Sequence, residues 1–414
     1  MSSSVLVLGA GIVGVSVALH LQKRGYQVVL VDRAKAGMET SFGNAGLIQS
    51  EGIFPYSFPL NPFLLLKYAF NIAPESHYHL RALPHIMPFL ARYAWHSRAS
   101  SHARIAQDYA PLIQNSVAEH LALAEVADCR HLIREKGWMR LFRTPREMDM
   151  RVREALLLHR DYGVKFETLL PSDLIKREPS LNPNLVGAIH WRDPCSVTDP
   201  LTLTQSYLRA FEALGGAFEQ ADAMTLKNCG SGWRVHGPQG TIDAQKAVIC
   251  LGPWSDVLMR RLGYRLPLAV KRGYSRHYAP RDGAILNHTV FDSERGYLLA
   301  PMQNGIRLST GAEFAKRDAP PTPVQLHRVE PIARLMFPLG DAIERTPWMG
   351  SRPCTPDMKP IIGSMPFHKN IWTAFGHGHH GLTLAPVTGR LIGEMISNEK
   401  IFIDTSAYAL TRFL

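Results

Sequence analysis

Two groups of residues in this 414-residue chain have types and spacings that could do chemistry. Gly9, Gly11 and Gly14 follow the apolar run Val5–Leu8 in a G-x-G-x-x-G spacing, and Asp32 closes a second apolar run, Val28–Val31. That order suits a dinucleotide: the glycines turn the chain sharply, bring backbone N–H groups near a diphosphate and let a helix lie close to its strand. The acid then accepts from ribose hydroxyls. The second group is FGHGHHGLTLAP, where His377, His379 and His380 stand among Gly376, Gly378 and Gly381. Three histidines invite a metal, but no carboxylate or cysteine follows at ligand spacing, so no metal is expected. The glycines carry more information, because they form a loop able to approach a flat ring.

The elements that must hold these groups can be read around them. The spacing predicts a strand over Val5–Leu8, a helix over Val15–Lys23 ended by Gly25, and a strand over Val28–Val31. Ile12, Val13 and Arg33 flank the glycines and the acid and belong to the same surface. The helix N-terminus supplies partial positive charge to a diphosphate. NAD and FAD share this motif. Thr40–Ile48, containing Ser41, Gly43, Asn44, Ala45, Gly46 and Leu47, is small and polar enough to lie along a large planar ring. An NAD enzyme would run directly into another strand–helix unit.

Further on, 56–144 reads as mostly helical, punctuated by prolines, and closes in a strand over Gly137–Arg143. Helices are expected over Pro145–Tyr162 and from Asp199-Pro200 to Leu214, and strands over Leu185–Trp191 and Ala247–Leu251. Leu382–Ile396 has helical period, with its N-terminus at the histidine–glycine loop.

Composition sets bounds. The chain is 46% hydrophobic and 20% charged, long enough for two domains with cores. Its five cysteines are scattered and never in a CxxC pair, which excludes a zinc ribbon or a clustered iron–sulfur site and fits a reducing, cytoplasmic compartment. A net charge of +11 points to an anionic partner, but no nucleic-acid motif accompanies it. Val5–Leu21 resembles a signal peptide in apolarity, yet no Lys or Arg precedes it, so folded core is expected.

Together the first motif, TSFGNAGLI, AVICLGPWS, SRPCTPDMKPIIG and GHGHHGLTLAPVTGRLIGEMI resemble the FAD-dependent D-amino-acid oxidase superfamily, nearest the bacterial D-amino-acid dehydrogenases of the small-subunit type. The resemblance implies an α/β fold, in which a Rossmann-like FAD domain (1–55, 195–262 and 345–414) interleaves with an α+β substrate domain built on an antiparallel sheet (56–194 and 263–344). It implies that Gly252 and Trp254 approach the FAD diphosphate or ribose, with an ordinary glycine turn as the alternative. It implies that Gly378, His379, His380, Gly381, Leu382 and Thr383 neighbour the flavin, without deciding which histidine reaches the substrate. Arg352, in a Gly-x-Arg-Pro pattern, is expected at the substrate carboxylate, where a guanidinium fork matches it. Tyr297 and, less directly, Tyr274 are expected as further substrate contacts; a half-buried strand tyrosine is the alternative. Cys354 immediately precedes Thr355, unlike the cysteines that attach flavin in relatives, so FAD is expected to be non-covalent.

The expected reaction is oxidation of a D-amino acid to an imine, with electrons passed to a quinone or other carrier. Alternatives are a dehydrogenase for a cyclic substrate such as D-proline or hydroxy-D-proline, an NAD-dependent dehydrogenase, and a flavin-binding subunit or electron conduit. Pro59–Ala73 and Pro84–Trp95 are short, apolar and basic, as helices lying in a membrane interface are; covering the flavin is the other reading.

Overall fold

A computed structural model describes residues 3–414. The apolar run at the start becomes the strand Ser4–Leu8, central in a six-stranded sheet. Its neighbours are Gln27–Asp32 on one side and Lys246–Ile249 on the other, both parallel. Ala217–Gln220 extends one edge; Ile371–Phe375 and the antiparallel Ile361–Ser364 extend the other. Val5 and Val7 point into one core and Leu6 and Leu8 into another, which explains the uninterrupted apolar run: both faces of this sheet are covered. One cover is a helical layer, Ile12–Gln22 against Gly381–Ser397 and Pro200–Ala213. The first two helices cross so closely that a Cβ on Gly389 would stand 2.6 Å from the Ser16 carbonyl oxygen. The other cover is a three-stranded antiparallel sheet, Asp222–Asn228, Trp233–Gly237 and Gly240–Ala244.

The second large sheet is mainly antiparallel. Its central strand, Ala269–Pro280, pairs with Gly305–Thr310 and Ala312–Phe314 on one edge, and with Leu339–Ala342 and Trp348–Cys354 on the other. The sheet continues through Tyr297–Met302 and Thr289–Asp292 to Trp138–Phe142, Gly187–Trp191 and Phe166–Leu169. Two pairings are parallel, Thr289–Asp292 with Trp138–Phe142 and Ala312–Phe314 with Ser76–Tyr78. The helix Val324–Met336 packs on its far face.

Several expectations meet the structure at their boundaries. The Ile12–Gln22 helix starts at Gly11, earlier than the apolar periodicity shows, because Val15 N–H already bonds the Gly11 carbonyl. Trp348–Cys354, expected with the nucleotide domain, hydrogen-bonds instead into the antiparallel sheet. Cys195–Val197 joins a small ribbon with Leu47–Ile48 and Ile133–Arg134 between the two sheets. The stretch read as mostly helical contains the helices Pro62–Ala69, Leu83–His96 and the long Ala99–Val126 and closes in the expected strand, Trp138–Phe142, but also holds the short strands Ser76–Tyr78 and Ile133–Arg134.

Candidate active site

A cavity of about 1410 Å³ runs from the glycine turn of the parallel sheet to one face of the antiparallel sheet. That exceeds the roughly 300–1,000 Å³ of ordinary ligand pockets, as a cleft for a dinucleotide plus a substrate must.

At the nucleotide end the glycines are sterically fixed. Gly9 has φ +104°, and a Cβ there would lie 2.6 Å from the Cys250 carbonyl oxygen. A Cβ on Gly14 would lie 1.8 Å from the Gly9 oxygen, so Gly14 permits the turn without itself lining the cavity. Asp32 Oδ2 accepts from Ala10 N–H at 2.7 Å and Oδ1 from Ala34 N–H at 3.0 Å, so its carboxylate is locked at the cavity wall. Ser41 Oγ accepts from Ile12 N–H at 2.9 Å, tying the ring-facing segment to the first helical turn. Gly11, Ile12, Val13 and Arg33 line the cavity, with the Arg33 guanidinium 4.5 Å from the Trp254 ring centroid. Gly252 adopts φ +51° and opens on the same space.

Along the middle, Gly43, Asn44, Ala45 and Leu47 form one wall. Gly43 lets the Trp348 ring approach; a Cβ would meet it at 1.9 Å. Gly46 is turned away, at φ +74°, against the Val197 carbonyl. Buried Arg307 donates to the carbonyls of Phe42 and Asn44 and so pins this loop. Thr383 Oγ1 donates to the Leu47 carbonyl at 3.1 Å and accepts from Gln49 N–H at 3.2 Å, joining the loop to the N-terminal turn of Gly381–Ser397. Gly381 and Leu382 line the cavity, so two helices open on it, one at the glycine turn and one at the histidine loop. Strand, glycine turn, locked acid, two helix starts and a long cleft fit FAD, and with Gly9, Gly11 and Asp32 at one end and Gly43–Leu47 and Gly381–Leu382 at the other they would hold it.

The three histidines take different partners, although the His379 and His380 ring centroids are 3.8 Å apart. His377 Nε2 meets Thr388 Oγ1 at 3.0 Å, and His380 Nδ1 meets the Tyr109 hydroxyl at 2.8 Å. Burial pushes both imidazoles down to about 3, and burial also holds His379 well below its usual value, so the loop is uncharged at neutral pH. His379 lines the cavity, its ring centroid 4.6 Å from that of Tyr56, whereas His380 does not. Among the described residues only His77, His79 and Glu313 approach cation-binding spacing, and Glu313 is already bonded to Arg272, Tyr274 and Thr322.

Strand register decides the substrate end. Paired residues share a face and successive residues point to opposite ones. Lys271 pairs with Arg352 and Gly273 with Gly350, on the cavity face. Tyr274 pairs with Met349, and Tyr297 with Thr310, on the opposite face, where both tyrosines join the core under Val324–Met336. The Tyr274 hydroxyl donates to Glu313 at 2.9 Å and accepts from Thr322 N–H at 2.8 Å. Both tyrosines still border the cavity, although the Tyr274 hydroxyl is taken up by Glu313 and Thr322 on the far side. Arg352 does reach the cavity. Its Nη1 donates to the Gly311 carbonyl at 2.8 Å and its Nη2 to the Thr310 carbonyl at 3.3 Å, with no carboxylate partner among the described residues. Cys354 is buried beside it, and burial pushes its thiol up, away from the reactive thiolate.

Sequence reasoning missed Lys271, Arg140 and Tyr56, which also line the cavity. A signal existed for Arg140, a lone charge at an alternating position in the apolar strand Trp138–Phe142. Lys271 stood in a Lys-Arg pair whose two side chains separate only once the strand face is known.

The family profile described as DAO, FAD dependent oxidoreductase, matches residues 4–395. A protein from Chromohalobacter salexigens named D-amino acid dehydrogenase is 30% identical over 424 residues, covering 99% of each chain. In fold the chain is similar to glycine oxidase from Geobacillus kaustophilus, with a TM-score of 0.77 at 22% identity and full coverage of both chains. It is also similar to L-proline dehydrogenase from P. horikoshii, with a TM-score of 0.76 at 18% identity, covering 100% of this chain and 98% of that one.

Proposed function

Because the chain belongs to the DAO family of FAD-dependent oxidoreductases, we propose that it oxidises D-amino acids to imines, which water converts to 2-oxo acids and ammonia. Arg352 carries this reading: a half-buried guanidinium on the cavity face, bonded among the described residues to two backbone carbonyls, fits a substrate carboxylate. Bound FAD supplies the acceptor for the α-hydrogen and its electron pair. The chain's own contribution is orientation and exclusion of water. Arg352 fixes the carboxylate, the neutral His379 and Tyr56 stand beside it, and the aromatic wall of Trp348 and Phe291 keeps the reacting carbon dry. The D configuration is supported by the name of the 30% identical relative.

Quinone reduction at a membrane surface completes the reading. Pro62–Ala69 buries no residue fully; Leu64, Leu65 and Tyr68 face the cavity, while Phe63, Leu66 and Phe70 are 85%, 57% and 68% exposed. The flavin-covering and interfacial readings are therefore compatible, one for each side of the helix. Residues 52–107 contain Lys67, Arg81, Arg92, Arg98 and Arg104 against the single acid Glu75, which matches this apolar surface to an anionic bilayer. No helix of the described residues is long and apolar enough to cross a membrane. The test is anaerobic flavin bleaching by a panel of D- and L-amino acids including D-proline and hydroxy-D-proline, repeated with a soluble quinone and with air. Bleaching by L-amino acids alone, or by none, overturns the reading.

A further inference from the structure

The cavity contains more positive charge than one α-carboxylate explains. Arg140 sits mid-strand in Trp138–Phe142, paired with Phe291 on one side and Ile189 on the other. Its guanidinium lies 6.0 Å and 5.8 Å from the ring centroids of Trp138 and Phe291, and its Nε is buried with no hydrogen-bond partner. Among the described residues no carboxylate forms an ion pair with it. A buried acid nearby, Glu51, shares its carboxyl with Gln49 and Trp138, and burial raises that carboxyl to about 7, so it is only partly ionised at neutral pH.

Lys271 repeats the pattern. It stands cross-strand from Arg352 with its Nζ 4.0 Å from Met358 Sδ and 4.0 Å from the Tyr93 ring centroid, again with no acid. Arg140, Arg352 and Tyr56 all line the one cavity.

The opposite face of the same sheet shows how this fold treats a buried arginine that only supports structure. Arg272 and Glu313, both fully buried, pair at 2.6 Å. Guanidinium cannot shed its charge by deprotonation, and an uncompensated buried cation is strongly unfavourable. Several acids along the cavity are already engaged, Asp32 at the N–H groups of Ala10 and Ala34, Glu294 at those of Arg143 and Thr144, and Glu147 at the Arg151 guanidinium, while Glu75, which accepts from the Tyr68 hydroxyl, keeps one buried carboxylate oxygen unpartnered. The glycine turn that would hold a diphosphate belongs to the other sheet, whereas Arg140 stands in the antiparallel one.

Resting on the oxidative-deamination reading above, we propose that the substrate is an acidic amino acid, whose second carboxylate is received by Arg140 while Arg352, with Lys271 beside it, holds the α-carboxylate. Neutral side chains leave Arg140 unmatched, and cationic ones are repelled.

The test compares D-glutamate and D-aspartate with D-glutamine and D-asparagine as anaerobic reductants of the FAD holoenzyme. Binding is measured separately, by titrating the visible flavin band of the oxidised holoenzyme with glutarate or butanoate. The acidic member of one pair is expected to have a kcat/KM about tenfold or more above its amide, and glutarate to bind about tenfold or more tighter than butanoate, as one charge-assisted contact provides. Arg140→Gln should bring both ratios towards one, and Arg140→Lys should retain part of each. An amide preferred to its acid by the wild-type enzyme, or ratios unchanged in Arg140→Gln, overturns the proposal. Bleaching by neutral D-amino acids without the acidic ones rejects the second carboxylate alone, whereas bleaching by no D-amino acid rejects the underlying reaction too.

Discussion

The guanidinium of Arg352 rests against Gly273: a Cβ built on that glycine would stand 2.5 Å from Nη2, 2.8 Å from Cζ and 2.9 Å from Nη1. The glycine is the seat that lets the arginine lie along the sheet with its donors at Thr310 and Gly311. Gly273→Ala should therefore displace the fork and raise KM for the amino acid about tenfold, the scale of a charge-assisted bond. Arg352→Lys should not restore it, because a point charge lacks the fork geometry. Steady-state kinetics beside a thermal melt check this; an unchanged KM in Gly273→Ala would refute the seating role.

At the nucleotide end, Gly14→Ala places a methyl 1.8 Å from the Gly9 oxygen and should yield protein with little bound flavin. Asp32→Ala should weaken FAD about tenfold or more while leaving the fold intact, since the loss is of hydrogen bonds to one carboxylate. Flavin-to-protein absorbance and FAD titration of the apoprotein read both.

Gly381 and His377 should separate in kind of effect. The nearest atom to a Cβ on Gly381 is His377 Cβ at 4.0 Å, so Gly381→Leu can fold but extends into the cavity and should lower FAD affinity. His377→Ala removes the buried contact with Thr388 and should lower stability by about 1 kcal/mol, with a smaller effect on flavin. A reversed order in FAD titration would contradict this assignment.

Glu51 gives a pH dependence with a definite sign. Burial raises its carboxyl from the ordinary 4.5 to about 7, against opposing bonds from Gln49 and Trp138. The folded chain thus keeps a proton that the unfolded chain releases, so this group's contribution to stability falls as pH rises from 4.5 to 7 and is level beyond. Glu51→Gln keeps an acceptor for Gln49 and Trp138 and removes that loss. It should stabilise by about 3 kcal/mol above pH 7 and by far less near pH 5. Denaturant melts across that range should show the gain growing with pH.

The outward face of Pro62–Ala69 predicts vesicle binding. Replacing Phe63, Leu66 and Phe70 together with serine should abolish flotation with anionic liposomes while leaving reduction of flavin by substrate in place. Equal flotation of wild type and variant would exclude this face as the contact.

Chain-local physics made the nucleotide end legible in the sequence. Gly14 and Asp32 act through residues at most a few tens of positions away, although Gly9 also seats against distant Cys250, and the apolar runs around them state directly that both sheet faces are covered. The histidine loop was legible for the same reason, since its glycines precede their helix immediately. The substrate end was decided by tertiary structure. Whether the Tyr274 or the Lys271 side chain faces the cavity depends on the parity of one strand against partners about 30 and 80 residues distant, and a one-residue slip exchanges them. That register places Arg352 and Lys271 on the cavity face, Tyr274 and Tyr297 on the far face, and brings Arg140 to the same cavity from another strand. Charge and residue type are written in the chain; which charges remain unmatched around one space is set only when distant strands pair.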